Sequence, residues 1–389
     1  MQRDIYKRIE SLSAFGRYMG LVSFQIKNSR VFLSKRDWLM PLLIFVIHLV
    51  IFVPSAILHL KFQLKSETRF IFSDFLYVGA YELSWLLLTF QGITNRRRMK
   101  DILQKIVDTD QAMEIRIGVR SKTSFIVLSI FFVNLLIWTI MDISKTSDKY
   151  WLPFLLKISE IANGISVILN FEINAHVKIQ LETLNLKLEN CTHQCLKKHR
   201  NLQLNERNRE SLYKIEEIYV NYVKKKLHLH WLIIQNSRGL VALLQIGIIG
   251  NLINVTCSAT IMFDYLVQMH TSGETIFSIA CFIRNIAAIV EIIKDIIITI
   301  TIIYSWVMVS SEASKMGPLI HDIWNKITEI GPSNKSMEFF KLASIHIIHT
   351  KPNFKLFGFS PITWNIFPSF VNLVITYGCI LLQLQLDVA

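Results

Sequence analysis

The chain has 389 residues, 52% of them apolar and 11% aromatic, and carries 42 Lys and Arg against 29 Asp and Glu for a formal net charge of +13. That apolar share marks a membrane protein and excludes an ordinary set of soluble domains. The five cysteines are an odd set without framework spacing, which excludes a disulfide-stapled core, and the basic residues flank apolar runs instead of interleaving with aromatics, which points to the membrane surface and away from nucleic acid.

The first 38 residues are polar and basic, with no small-residue cleavage site before the first apolar run, so that run is expected to be a retained membrane helix and not a secretory signal. A bilayer core about 30 Å thick needs roughly 20 apolar helical residues. Seven stretches meet that length, at about 39 to 60, 70 to 93, 124 to 143, 151 to 172, 239 to 263, 276 to 306 and 361 to 384. The chain therefore reads as an all-α polytopic membrane protein divided into segments 1–38, 39–172 (spans one to four), 173–238, 239–306 (spans five and six), 307–360 and 361–389.

Cytoplasmic loops retain Lys and Arg, so their distribution gives the orientation. With the N-terminus inside, the cytoplasmic segments hold 8, 8, 11 and 6 basic residues, and the external segments hold 5 in all. This bias predicts a cytoplasmic N-terminus and, after seven spans, an external C-terminus. G-protein-coupled receptors have the opposite orientation, and neither Asp-Arg-Tyr after the third span nor Asn-Pro-x-x-Tyr in the seventh is present.

The cytoplasmic segments carry helical patterns of their own. Between Glu172 and Gln235, Leu181, Leu184 and Leu188, then Leu212, Ile215, Ile218 and Val223, recur among charges, predicting two amphipathic helices around a polar break near 197 to 210. The first should continue directly from span four. Residues 307 to 330 should extend span six until Gly331-Pro332 stops the helix, and 336 to 348 should form a short helix capped by Ser336. These helices would make an anchor layer below the membrane. No internal repeat or low-complexity tract occurs.

In the last span the polar residues are ordered. Asn365, Ser369, Asn372, Thr376, Cys379 and Gln383 follow at steps of four and three, which puts them on one stripe of an otherwise oily helix. Such a stripe suits one wall of a pore, or hydrogen bonds to neighbouring helices. Ile380 lies beside it near Gln383, and Tyr377 points off it toward neighbouring protein.

Charges inside spans must pair or meet water. Glu291, Lys294 and Asp295 are expected to pair locally near the inner part of the sixth span, and Arg284, Lys157 and Glu160 to lie further out. A pocket for a small organic ligand would be apolar and aromatic with a few polar groups. By depth its candidates are Tyr77 and Tyr81, Trp138 and Asp142, Trp151 and Phe154, Met262 and Asp264, and Phe277, Phe282 and Arg284, although aromatics near span ends also serve as interfacial anchors. Cys191, Cys195 and His199 share a helix face with no fourth ligand, so no metal is expected. No cofactor is expected either. The sequons at Asn190, Asn254 and Asn334 fall in cytoplasmic or buried positions and should carry no sugar. No phosphate loop, nucleophile elbow or catalytic carboxylate pair occurs, so the chain does not read as an enzyme.

The ending Thr376-Tyr377, five mostly apolar residues, then Gln383-Leu384 resembles the signature of insect gustatory receptors, which end in Thr-Tyr, five hydrophobic residues, Gln and Phe. Leu384 stands where those proteins have Phe. The chain length, the inverted orientation, the long helices after spans four and six, and the FGFSPITW before the last span agree with that family. The resemblance implies a ligand-gated, non-selective cation channel in the plasma membrane of sensory neurons, built from four identical or related subunits and opened by a small-molecule tastant. It further implies a central pore lined by the last helix, with Asn372, Thr376, Cys379 and Gln383 on its wall and Ile380 as the dewetting gate. The ligand pocket would lie among the outer parts of spans two to six. A metabotropic seven-helix receptor and a transporter are the rival readings; the second would show paired repeats or broken helices, which are absent here.

Overall fold

The computed structural model describes residues 10, 13–14, 16–17, 21, 24–27, 30–33, 39–47, 49–50, 54, 71–113, 129, 151–203, 209–271, 279–328, 334–349 and 352–386, and every structural statement below concerns these. They form α1 (Leu39–Ile47), α2 (Ile71–Thr94), α3 (Arg96–Met113), α4 (Trp151–Gln203), α5 (Arg209–Thr271), α6 (Ile279–Ser314), α7 (Met316–Thr328), α8 (Asn334–His349) and α9 (Ile366–Leu386). Two small antiparallel hairpins, β1 (Gln25–Lys27) with β2 (Arg30–Phe32) and β3 (Lys355–Leu356) with β4 (Ser360–Pro361), complete the set. The expected third span lies outside the described residues apart from Ser129, and so does the second half of the expected first apart from Val50 and Pro54.

No Gly or Pro interrupts residues 172 to 235, and the helices on either side of the polar break are correspondingly long. At 1.5 Å per residue, the 53 residues of α4 and the 63 of α5 make rods of about 80 and 95 Å, far beyond the bilayer core of about 30 Å. Each rod has an apolar part and a charged part. α5 is the mast of the bundle: α2, α3, α4, α6 and α9 all pack against it.

The charged parts are held by a dry seam. Val177, Leu181, Leu184 and Leu188 of α4 are fully buried with Tyr219, Val220 and Val223 of α5, Met316, Ile320 and Ile323 of α7, and Phe340 of α8. Ile218, read from the sequence as an inward position, faces outward instead. The Tyr219 and Thr192 hydroxyls lie 2.6 Å apart in a buried hydrogen bond that fixes the rotation of α5 and turns Ile218 away.

Two helix ends differ from expectation for local reasons. Pro318 offers no N–H to the Ser314 carbonyl and its ring crowds it, so α6 ends at Ser314 and α7 restarts at Met316, well before Gly331-Pro332. α8 begins at Asn334, which leaves Ser336 inside its first turn and not at its cap.

The expected seventh helix also starts late. Residues 355 to 361 form the β3–β4 hairpin, with Lys355 paired to Pro361 and Leu356 to Ser360, so α9 begins only at Ile366 and Asn365 sits at its start. The turn has positive φ at both Phe357 (49°) and Gly358 (77°). Such turns favour Asn, Asp or Gly at both positions, and a phenylalanine there costs roughly 1–2 kcal/mol. The Phe357 N–H donates to Gln245 Oε1 on α5 at 3.0 Å, tying the turn to the mast.

His230 of α5 lies in the charged layer, 3.1 Å from the Ala313 carbonyl. Burial pushes its pKa down from 6.5 to about 4, against the smaller opposing pull of that carbonyl. A depressed histidine favours the fold while neutral, so its contribution is complete above the unfolded value near 6.5 and is lost as the pH falls from there toward 4. The loss is on the order of 3 kcal/mol. Thermal unfolding in detergent should show a falling midpoint across that range, and His230→Gln should flatten this acid limb; an unchanged limb would place the acid sensitivity elsewhere.

Candidate functional site

α9 packs on α5 and α6 through one edge only. Ile366, Phe370, Val374 and Gly378, at steps of four, turn inward. Gly378 permits the closest approach: a Cβ there would stand 2.7 Å from the Phe263 ring of α5. The polar stripe lies on the rest of the helix. Ser369, Asn372, Thr376, Cys379 and Gln383 are all exposed, as are Ile380 beside them and Tyr377 off to one side. Among the described residues, no hydrogen bond joins Asn372, Thr376 or Gln383 to α5 or α6. The stripe thus points away from α5 and α6, and the alternative of hydrogen bonds to neighbouring helices is not realised among the described residues.

A second polar site is buried between α2, α4, α5 and α6. Lys294 of α6 donates to Glu160 of α4 at 2.8 Å, contacts Glu291 one turn away, and lies 3.8 Å from Asp295. Tyr81 of α2 donates its hydroxyl proton to Glu291 at 3.0 Å, and the Lys294 ammonium donates to the Tyr81 oxygen at 3.2 Å. Ser258 of α5 reaches Glu291 at 3.4 Å. The sequence reading placed Glu160 further out, with Arg284; the structure instead brings it onto Lys294, because α4 and α6 pack side by side at this level.

Of the residues expected in a ligand pocket, Tyr81 belongs to this cluster, and Asp264 and Met262 are buried nearby on α5, Met262 within a small apolar group with Ile261 and Ala288. Trp138 and Asp142 lie outside the described residues, as does Phe277. Tyr77 falls on α2, Trp151 and Phe154 on α4, and Phe282 and Arg284 on α6, with their side chains outside the description.

The 7tm Chemosensory receptor family matches residues 9–387, nearly the whole chain. The chain belongs to this family. Its members are receptors and not enzymes, and they are membrane proteins. The receptor's fold is similar to that in "The structure of the insect olfactory receptor OR5 from Machilis hrabei in complex with eugenol", with a TM-score of 0.58 and 12% identity, covering 97% of this chain and 98% of that one. At that identity the likeness is one of fold, the all-α seven-helix fold. No curated protein matches the chain.

Two features of the receptor escaped the sequence reading. Gln91 of α2 and Asn95, in the turn between α2 and α3, reach the two ends of one backbone hydrogen bond in α5: the Gly247 N–H donates to Gln91 Oε1 at 2.7 Å, and Asn95 Nδ2 donates to the Leu243 carbonyl at 3.2 Å. A small cavity of mixed lining opens beside Gln91, edged by Ser166 and Asn170 of α4, Asn251 of α5 and the apolar Val167, Leu244, Ile248 and Ile302. In the charged layer, Asp110 of α3 meets His176 at 2.5 Å and accepts from Gln180 at 2.6 Å, both on α4. The i+4 pairing of His176 and Gln180 was a signal on one side only; nothing local to Asp110 names α4 as its partner.

Proposed function

We propose that the receptor is itself a ligand-gated, non-selective cation channel for taste, assembled from four identical or related subunits in the plasma membrane of sensory neurons. The observation that carries this reading is the outward polar stripe of α9. A membrane helix that keeps its polar side chains off its own bundle needs either another subunit or water against them, because lipid offers no hydrogen bonds. Around a central axis, four such stripes would supply polar groups at every turn of a water path. Asn372, Thr376, Cys379 and Gln383 would line it, and Ile380 would close it by dewetting. The Lys and Arg bias puts the N-terminus in the cytoplasm and the end of α9 outside.

A small organic tastant would bind among the outer parts of α2, α4, α5 and α6, above the Lys294 cluster, and open the pore by binding the open state more tightly than the closed one. In the solved olfactory receptor the bound compound is eugenol. A small, largely apolar ligand suits the apolar group of Ile261, Met262 and Ala288 on α5 and α6.

Purified receptor in a planar lipid bilayer, with no other protein present, should pass cation current when a panel of small organic tastants is applied. If compounds that evoke responses in cells expressing the receptor evoke none in the bilayer, the channel reading is wrong and a metabotropic receptor takes its place. An epitope appended after Ala389 should be labelled on intact cells, whereas labelling only after permeabilisation would overturn the orientation.

A further inference from the structure

The hairpin before α9 ends in an exposed aromatic tip. Phe359 is 88% exposed, Phe357 49%, and Trp364, just after β4, 47%. The root of the same segment is fixed. Phe354 is buried against the Trp306 ring of α6 at 5.5 Å, the Pro352 carbonyl accepts from Ser310 at 2.8 Å, and the Phe357 N–H is held by Gln245. A firm root with a bare apolar tip is a built projection.

Its turn is also chosen against local preference. Positions that favour Asn, Asp or Gly hold Phe357-Gly358, so a half-exposed phenylalanine is retained in a left-handed conformation. Within the chain the turn is held by the Phe357 N–H bond to Gln245, while the Phe359 ring is left to face what lies outside.

The depth of the tip says what that is. Gln245 lies seven residues, roughly 10 Å, beyond Arg238, the last charge of α5 before its apolar part. The 21 residues of α9 span about 32 Å, one bilayer core, and begin just after β4. The hairpin is therefore level with the boundary between hydrocarbon and headgroups, where aromatic side chains gather. Lys355, exposed on β3, stands beside it as a cation for lipid phosphates.

We propose that the Phe357–Phe359 tip, with Trp364 and Lys355, is a lipid-binding anchor that inserts into the membrane interface at the start of α9. The anchor would set the depth of α9 and, through Gln245, hold α5 at the same level. The proposal requires only that α9 crosses the membrane, and it stands whether or not α9 lines a pore.

The test replaces Phe359, and separately Phe357, with the photo-crosslinker p-benzoylphenylalanine in the full-length receptor. Each variant is reconstituted in phosphatidylcholine and phosphatidylserine vesicles doped with alkyne-tagged phosphatidylcholine. A third variant carries the crosslinker at Asp322, an exposed residue of α7 in the charged layer. After irradiation, lipid adducts at position 359 should exceed those at 322 several-fold, with position 357 between them. An adduct of two receptor chains in place of the lipid adduct would make the tip a subunit contact, and labelling at 359 no higher than at 322 would leave it in water; either result overturns the proposal.

Discussion

Replacing Gln383 with arginine should abolish cation current or turn the channel toward anions. Gln383 is the last exposed polar residue of the α9 stripe, and in a fourfold pore the substitution places four guanidinium charges around one axis. A cation on that axis about 5 Å from each charge meets roughly 3 kcal/mol of repulsion even at the dielectric constant of bulk water. That lowers its occupancy by about a hundredfold or more, and the barrier is larger where the walls exclude water. Gln383→Glu should do the reverse and strengthen cation preference. Reversal potentials in asymmetric salt, measured on the same purified receptor, separate the outcomes. Unchanged permeation in Gln383→Arg would mean that the stripe faces another subunit's side chains instead of ions. Because Gln383 is exposed and no hydrogen bond joins it to α5 or α6 among the described residues, a folding defect is not expected to mask the result.

The stripe was legible before any coordinates, and the reason is geometric. Helical periodicity reports which residues share a face, and that depends on spacing alone. The continuation of α4 from its apolar part into the charged layer was legible for a similar reason, since no helix breaker lies between Glu172 and Gln235, whereas the joining of the second charged helix to the fifth span in α5 was not. What spacing cannot give is the partner across a helix interface. Glu160 and Lys294 are 134 residues apart, and their contact depends on how α4 and α6 are rotated and shifted against each other. The same holds for Gln91 on Gly247 and for Asp110 on His176. Ile218 shows the converse: an apolar residue at an acceptable spacing was assigned inward, and one hydroxyl pair, Tyr219 with Thr192, rotated it out. The hairpin was hidden because its strands are two residues each, too short for an alternating pattern, and because its turn holds Phe-Gly where Asn-Gly would have announced it.

Removing the charge at Lys294 should cost the receptor more stability than most single changes in its membrane bundle. The side chain is 1% exposed and is shared by Glu160 and Glu291, with Asp295 close by, so that one ammonium joins α4 to α6 and, through Tyr81, to α2. Lys294→Met keeps the volume and removes the cation, leaving three buried carboxyl groups facing one another. Breaking a buried pair in this way typically costs about 3–5 kcal/mol, because the remaining charge is stranded, whereas removing both signs together is close to neutral. The single variant should therefore lose folded protein and lower the thermal midpoint in detergent. Glu160→Gln combined with Glu291→Gln and Lys294→Met should recover part of that loss, since amides and a thioether fill the same space and one carboxyl group, Asp295, remains in place of three. If the single variant melts like the wild type, the cluster is not a tie between helices. If the triple variant is as weak as the single one, what matters is the bonding geometry of Lys294 and not the balance of charge around it.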